Sequence, residues 1–526
     1  MNLLTESWIN VRRNSGELGS ITPEEITDSH NTIVDVLAPR ADLKGALYQF
    51  LIGLLQTTFA PEDEDEWEQY WHDPPAQDVL HKAFTKYHSA FEIDNQGPAF
   101  MQDFNLPEGE KKSISALFIE APGGKTLRDN QDHFVKGGVI TKVDAYWAAL
   151  ALFTLQINAP SGGVGHRVSL RGGGPLTTLV MPPVASTANS LWHALWLNVL
   201  TQEEIASLLI NKNLVADSAM FPWLAATRTS EKKDGETHPE HCHPYQMYWS
   251  MPRRVRLDFT DATSGQCDLS GGESQCLVSY FITKNYGVNY TGNWLHPLTP
   301  YNVDPEKGAI SIKGQPGGVT YRNWLGLVLD DVNNHRRVAK VVDVYNRNRR
   351  NIIGGDYQPR LWAFGYDMDK MKARCWYETT LPVFNIAQSE RDDVQSLVSC
   401  MVDAATEVVG NVRSAVKNAW FNRPKDAKGD SSLGSLLALE TSFWGATESK
   451  FYQLLEAIIA AKGDEDVIAK IKKDWRRYLS QRALDLFDQW SLSAANEDGD
   501  MKRMVKARLD LEKWLRSGKQ IKKLAA

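Results

Sequence analysis

The feature that most constrains this sequence of 526 residues is a change of pattern near Leu381–Ser389, after which apolar residues recur every three or four positions almost to the C-terminus. Val394, Leu397, Val398, Met401, Val402, Ala405, Val408, Val409, Val412, Ala415, Val416 and Ala419 fall on one stripe of a 3.6-residue repeat, as in a long amphipathic helix. Ser389 followed by Glu390, Asp392 and Asp393 predicts its start, because a short side-chain oxygen satisfies orphan amides and acids suit the positive end of the dipole. Polar, Gly-containing breaks at Arg423–Gly434, around Gly463 and at Asn496–Gly499 divide the remainder into three more helices. Four such helices bury their stripes as a four-helix bundle, expected over residues 384–526. The last helix is basic, with nine Lys/Arg from Lys502 to Lys523 against Asp510 and Glu512. That charge suits a solvated face and a docking surface for phosphate or an acidic partner equally well.

Residues 1–383 lack this regularity. Helix-like and strand-like segments alternate with Gly/Pro turns, so a large irregular mixed α/β domain is expected and the fold class is α+β. Strand expectations fall on Arg253–Phe259, where Val255, Leu257 and Phe259 alternate with Arg254, Arg256 and Asp258, and on Leu277–Thr283. The acidic run Glu62–Glu66 reads as a solvated loop or a helix start. The run Ala145–Ile157 is far short of the roughly 20 apolar residues a membrane-spanning helix requires, so no membrane segment is expected.

The net charge of -7 argues against a protein that coats nucleic acid by itself, and confines any such contact to a local patch. Cys242, Cys267, Cys276, Cys375 and Cys400 are scattered without a CxxC pair, which predicts reduced thiols and a cytoplasmic location. The opening residues Met1–Trp8 have no basic region leading into an apolar core, so no signal peptide is expected.

Chemistry has few candidates. Asn158–Pro175 combines six glycines with His166, Arg167 and Arg171 after an apolar helical run. A backbone without Cβ atoms approaches a phosphate or base edge closely, yet the same glycines serve a structural turn, and composition leaves both readings open. The stretch lacks the Gly-Lys-Ser/Thr ending of a nucleotide-binding loop. His238, His241 and His243 cluster, which suggests a metal-dependent nuclease as one alternative. A metal site needs three or four convergent ligands, and Cys267 and Cys276 are not spaced to complete it. An ordinary loop and no metal or other cofactor are the expectation. Asp367 and Asp369, next to Lys370, Lys372 and Arg374, read as an ion-paired structural element. The chain is expected not to be an enzyme; a purely structural scaffold is a further alternative.

Several separated motifs carry a resemblance. Met1-Asn-Leu-Leu with Trp8-Ile9, Pro98-Ala-Phe-Met-Gln102, the glycine segment running into Leu176–Val180, Tyr248-Trp249 with Met251-Pro-Arg-Arg254, Trp294 with His296-Pro297, and Gly365–Asp369 with Lys372–Glu378 resemble, in the same order, the Cse1 (CasA) large subunit of the type I-E CRISPR Cascade complex. The resemblance implies a non-catalytic subunit that recognises the protospacer-adjacent motif in double-stranded target DNA. It also implies help in opening the duplex for guide RNA pairing, other Cascade subunits and the guide RNA as partners, and recruitment of a helicase-nuclease. Protein then reads a short motif while base pairing reads the sequence.

The resemblance further implies three motif readers: an upstream loop matching Asn130, Gln131, Asp132, His133 and Phe134; the glycine loop Ser161, Gly162, Gly163, Val164 and Gly165; and a minor-groove lysine, Lys284. A hairpin tip that parts the duplex matches Gly354–Arg360, with Gln358 as the wedge and Tyr357 and Arg360 beside it. Some relatives carry a cysteine-rich zinc element before the lysine strand; only Cys267 and Cys276 stand here, so no zinc is expected.

Overall fold

Two helices without a polar face organise the first part of the chain. Ala41–Thr58 and Ala145–Asn158 are buried on nearly every side and pack against each other, as helices lacking amphipathicity must. The second starts where the Asp144 carboxylate accepts from the amides of Tyr146 and Trp147, at 3.0 and 3.4 Å. Phe50 and Phe153 from these helices meet Phe91, Phe100, Trp223 and Trp249 in one aromatic core, with ring centroids from 5.2 Å (Phe100–Trp223) to 6.5 Å (Phe91–Trp223). Most of these rings meet edge to face, the arrangement their quadrupoles favour.

The computed structural model describes residues 1–525 apart from 107, 123–127, 129–136, 184–189, 207, 209–215, 355–356, 370–371, 425–429 and 492–499, and gives only the backbone of 430–435. The chain divides into two compact units, Met1–Gln315 with Arg337–Thr380, and Pro316–Arg336 with Leu381–Ala526. Assigning all of 1–383 to one domain therefore needs a correction. Pro316–Arg336 packs with the helices, because Tyr321 stacks on Phe451 at 4.4 Å and its hydroxyl meets Thr447 Oγ1 at 2.9 Å.

The first unit is built on small sheets. Ile9–Arg13 lies between Leu18–Ile21 and Ile33–Val36, Tyr280–Lys284 lies between Glu110–Ser113 and Arg254–Asp258, and Arg360–Asp369 lies between Thr177–Met181 and Lys372–Pro382. The single strand expected over Leu277–Thr283 is in fact two, Glu273–Val278 and Tyr280–Lys284, in different sheets. Leu277 and Val278 pair with Asp144 and Val143, whereas Tyr280 onward pairs with Ser113 and Asp258, so the chain changes sheet at Ser279. In Arg254–Asp258 the alternation also breaks: Arg254 is buried, because the Asp103 carboxylate lies 2.6 Å from its Nε. Asp367 is buried and takes both Nε and Nη2 of Arg374, at 3.0 and 2.7 Å, a bidentate structural pair.

The second unit contains the helices Arg391–Trp420, Asp430–Ala461, Glu465–Ser491 and Met501–Ser517, followed by the short Lys519–Lys523. The first starts one residue later than a cap at Ser389 implies, with Glu390 in the cap position, since Gln388–Glu390 forms a 3-10 turn that absorbs the serine and leaves no side-chain cap. Its buried stripe runs from Val394 to Ala419 but leaves Leu397 and Val402 half-exposed at the edges. The break after it is shorter than Arg423–Gly434, as helical backbone resumes at Asp430. Trp475 Nε1 donates to the Met401 carbonyl at 3.0 Å, tying the third helix to the first. Glu407 accepts the amides of Lys519, Gln520 and Ile521 at 2.9–3.1 Å, filling the open N-terminus of the short last helix. Several cations of the basic stretch have partners within the unit: Arg508 pairs with Asp488 (2.8 Å), and Arg503 Nε donates to the Ala419 carbonyl.

Candidate nucleic-acid interface

The glycine segment folds as two loops with different jobs. In the second, Gly172 and Gly174 adopt positive φ, and a Cβ on Gly174 would lie 2.5 Å from Met368 Cγ, one on Gly173 2.9 Å from Pro160 Cα. Arg171 turns inward beneath them and donates to Gln49 Oε1 (2.7 Å), Thr177 Oγ1 (3.0 Å) and Thr299 Oγ1 (3.1 Å). Burial without a carboxylate partner pulls its pKa down to about 10. This half of the segment is close-packed structure.

The first loop is exposed at its tip. Ser161, Gly163 and Val164 face solvent, Val164 at 76% exposure, which is unusual for a large apolar side chain. Gly163 has φ +80° and open space around its missing Cβ. Gly165 differs: its Cβ would meet Asn285 Cβ at 2.9 Å and Tyr286 Cδ1 at 3.0 Å. Its carbonyl accepts from the Tyr286 amide, and the Val164 carbonyl accepts from Asn285 Nδ2, both at 2.8 Å. The loop is thereby fixed to the residues that follow strand Tyr280–Lys284, and exposed Lys284 stands at the end of that strand, paired in register with Arg254. Two sequence-distant candidates, Ser161–Gly165 and Lys284, are brought to one place.

Arg253 and Gln156, which are not among the sequence candidates, hold this junction together with His166 and Arg167, which are. The Arg253 guanidinium donates to the Pro160 carbonyl and to His166 Nδ1, while Gln156 Oε1 accepts from the Arg253 amide at 2.8 Å. Because a guanidinium only donates, Nδ1 of His166 must be the unprotonated ring nitrogen. Burial and the nearby charges of Arg253 and Lys112 hold the His166 pKa below its ordinary value, in keeping with that role. Arg167 donates to Ser230 Oγ (2.7 Å) and to the Ser230 carbonyl (3.0 Å), and lies over the Tyr286 ring. The adjacent basic pair Arg253-Arg254 was the available sequence signal, but nothing local distinguishes an arginine that clasps a loop from one that binds phosphate.

The other candidates are placed elsewhere or not at all. Asn130, Gln131, Asp132, His133 and Phe134 lie outside the described residues. Gly354–Arg360 does not join two strands: it connects helix Arg350–Ile353 to strand Arg360–Asp369, which corrects the hairpin expectation. Gln358 is exposed there, but Tyr357 turns inward, edge-on to Trp71 at 5.7 Å, with its hydroxyl buried. Tyr357 is half-buried and held to its own chain through this ring contact. Arg360 Nε donates to the Pro182 carbonyl at 3.1 Å. The histidine cluster is engaged with its own chain: His243 Nδ1 accepts from the Tyr245 amide and His241 Nδ1 from the His238 amide, both at 3.2 Å. Among the described residues no three His, Cys, Asp or Glu side chains gather as a metal site would require. The five cysteines are unpaired, and no described helix is long and apolar enough to cross a membrane.

The family model for CRISPR-associated protein Cse1 matches residues 2–486. The chain belongs to the Cse1 family. Solved structures share its fold over nearly the whole length of both chains. Thermus thermophilus CasA (Cse1) is 17% identical with a TM-score of 0.69, covering 100% of this chain and 99% of that one. Thermobifida fusca Cse1 is 15% identical with a TM-score of 0.71, covering 98% of each chain. A chain of a structure described as a CRISPR RNA-guided surveillance complex is 14% identical with a TM-score of 0.70, covering 98% and 99%. The α+β class and the C-terminal helices of this Cse1-family chain are those of the shared fold.

Proposed function

We propose that this Cse1-family chain is the large subunit of a type I-E CRISPR Cascade complex and reads the protospacer-adjacent motif of double-stranded DNA with its glycine loop and Lys284. The observation that carries the reading is the docking of Ser161–Gly165 onto the end of the Lys284 strand through Asn285 and Tyr286. This presents a narrow tip of small residues beside one exposed ammonium group. Small residues suit the minor groove, which offers little beyond acceptor atoms and the guanine amino group, and a cation is drawn to its negative potential. The chain's negative net charge is consistent with a local contact whose affinity is completed by partner subunits and guide RNA. In this reading the exposed Gln358 enters the duplex beside the motif and helps part it, a helicase-nuclease is recruited to the opened target, and the chain itself cuts nothing.

The test is a gel-shift series over motif variants with the guide-loaded complex, assembled with and without this chain. The chain is expected to confer a preference for motif-containing duplex. Equal motif discrimination without it overturns the proposal.

A further inference from the structure

A cavity of about 330 Å³ in the first unit carries more positive charge than its own contacts neutralise. Its walls include Arg12, Lys44 and Arg360, a single carboxylate, Asp35, and the aromatic rings of Tyr48 and Trp362. Asp35 is already fully engaged: Oδ2 lies 2.7 Å from Lys44 Nζ and 3.3 Å from Arg12 Nη2, and Oδ1 accepts from the Tyr48 hydroxyl at 3.0 Å. Among the described lining residues, three cations therefore face one anion.

Arg360 is the excess charge with spare donors. Its Nε donates to the Pro182 carbonyl, while its terminal nitrogens make no hydrogen bond among the described residues. A guanidinium held by Nε and open at its outer edge is shaped to grip a phosphate oxygen. Beside it, half-buried Trp362 stands edge-on to Tyr48 at 5.2 Å and gives the cavity an aromatic wall. Cation and aromatic wall together are what binds one nucleotide of a single strand: phosphate on the charge, base on the ring. The volume is at the lower end of the range for ligand clefts, roughly 300–1,000 Å³, which admits one nucleotide and excludes a duplex.

We infer that the cavity lined by Arg12, Lys44, Arg360 and Trp362 binds one unpaired nucleotide of a DNA strand, its phosphodiester on Arg360 and Arg12 and its base against Trp362. Arg360 lies two residues after Gln358, so one wall of the cavity follows directly in sequence the residue assigned to duplex opening. The identity of that strand, as one released at the tip, rests on the function proposed above; the nucleotide chemistry of the cavity does not. Captured there, an unpaired nucleotide would keep the parted strands from closing.

The experiment uses the full-length chain and a fluorescent single-stranded DNA hexamer, with affinity followed by anisotropy over a salt series. The double variant R12Q/R360Q is expected to bind about tenfold more weakly, with a salt slope smaller by about 1–2. A hexamer carrying 5-bromodeoxyuridine is expected to photocrosslink to the wild-type peptide containing Trp362, a readout that needs no variant to fold. Unchanged affinity and slope in the double variant, or crosslinks confined to other peptides, overturn the site. A parallel arm measures dAMP as competitor: binding as tight as that of the hexamer overturns the assignment to a strand in favour of a free nucleotide. The assembled wild-type complex is assayed alongside for motif preference, so that loss of the motif reading and loss of this site are seen separately.

Discussion

The two units of this molecule solve the same burial problem in opposite ways. The helical unit repeats one contact type, with small and branched side chains every three or four residues on Arg391–Trp420 packing against neighbouring helices. The mixed unit relies on single long-range contacts between unlike groups. Arg254 reaches Asp103, Arg171 reaches Gln49, and Trp249 Nε1 donates to Thr57 Oγ1 at 2.9 Å across 192 residues of sequence. A periodic interface degrades gradually when one member is lost, whereas a unit closed by individual polar clasps should fail at each clasp.

Substitutions can break this contrast. The Arg254–Asp103 pair is buried on both sides, so Arg254→Met leaves an uncompensated carboxylate and should destabilise the first unit by about 3–5 kcal/mol. Val408→Ala on the buried stripe of the first bundle helix should cost about 1.5–3 kcal/mol, from lost burial plus a small cavity. Hydrogen exchange resolved by peptide measures both in the intact chain. Equal losses of protection, or a larger loss for the helical variant, would contradict the contrast.

Acidity sharpens the comparison at smaller amplitude. His296, His193, His243 and His166 all lie in the first unit, and burial is the foremost cause lowering each pKa, most strongly for His296. The unfolded chain then binds more protons below about pH 6.5, so stability falls as pH drops from there, by about 1 kcal/mol per pH unit for fully buried His296. Residues 381–526 contain no histidine, and Glu448, raised by burial, acts in the opposite sense because the folded form holds its proton more tightly. Between pH 6.5 and 5, exchange protection corrected for intrinsic rate should decline in the first unit and hold in the helices. A parallel decline in both would refute the assignment to these imidazoles.

The same contrast explains what was legible in the sequence. Each bundle helix announces itself because its partners are met at a fixed period, and the departures are local: Ser389 falls into a 3-10 turn, Leu397 and Val402 sit half-exposed at the edges of the stripe, and the helix resumes early at Asp430. Pro316–Arg336 was unreadable as part of that unit because Tyr321 meets Phe451 and Thr447 more than a hundred residues away. At the candidate interface, the six glycines marked a special backbone, but only the fold separates exposed Gly163 from Gly165 and from the packed Gly173 and Gly174. Nor could spacing show Arg253 clasping the loop, or Tyr357 packing edge-on against Trp71.

That separation makes the central claim testable. A side chain at Gly163 meets nothing within the chain, and asparagine is among the residues that best tolerate its positive φ. Gly163→Asn and Lys284→Ala should therefore leave the chain folded. The decisive measurement is the ratio of affinities of the guide-loaded complex for duplexes with and without the motif, compared among wild type and these two variants. A ratio reduced by about tenfold or more in each, at unchanged thermal stability, is the predicted result. A ratio equal to wild type in both folded variants would contradict motif reading by the glycine loop and Lys284.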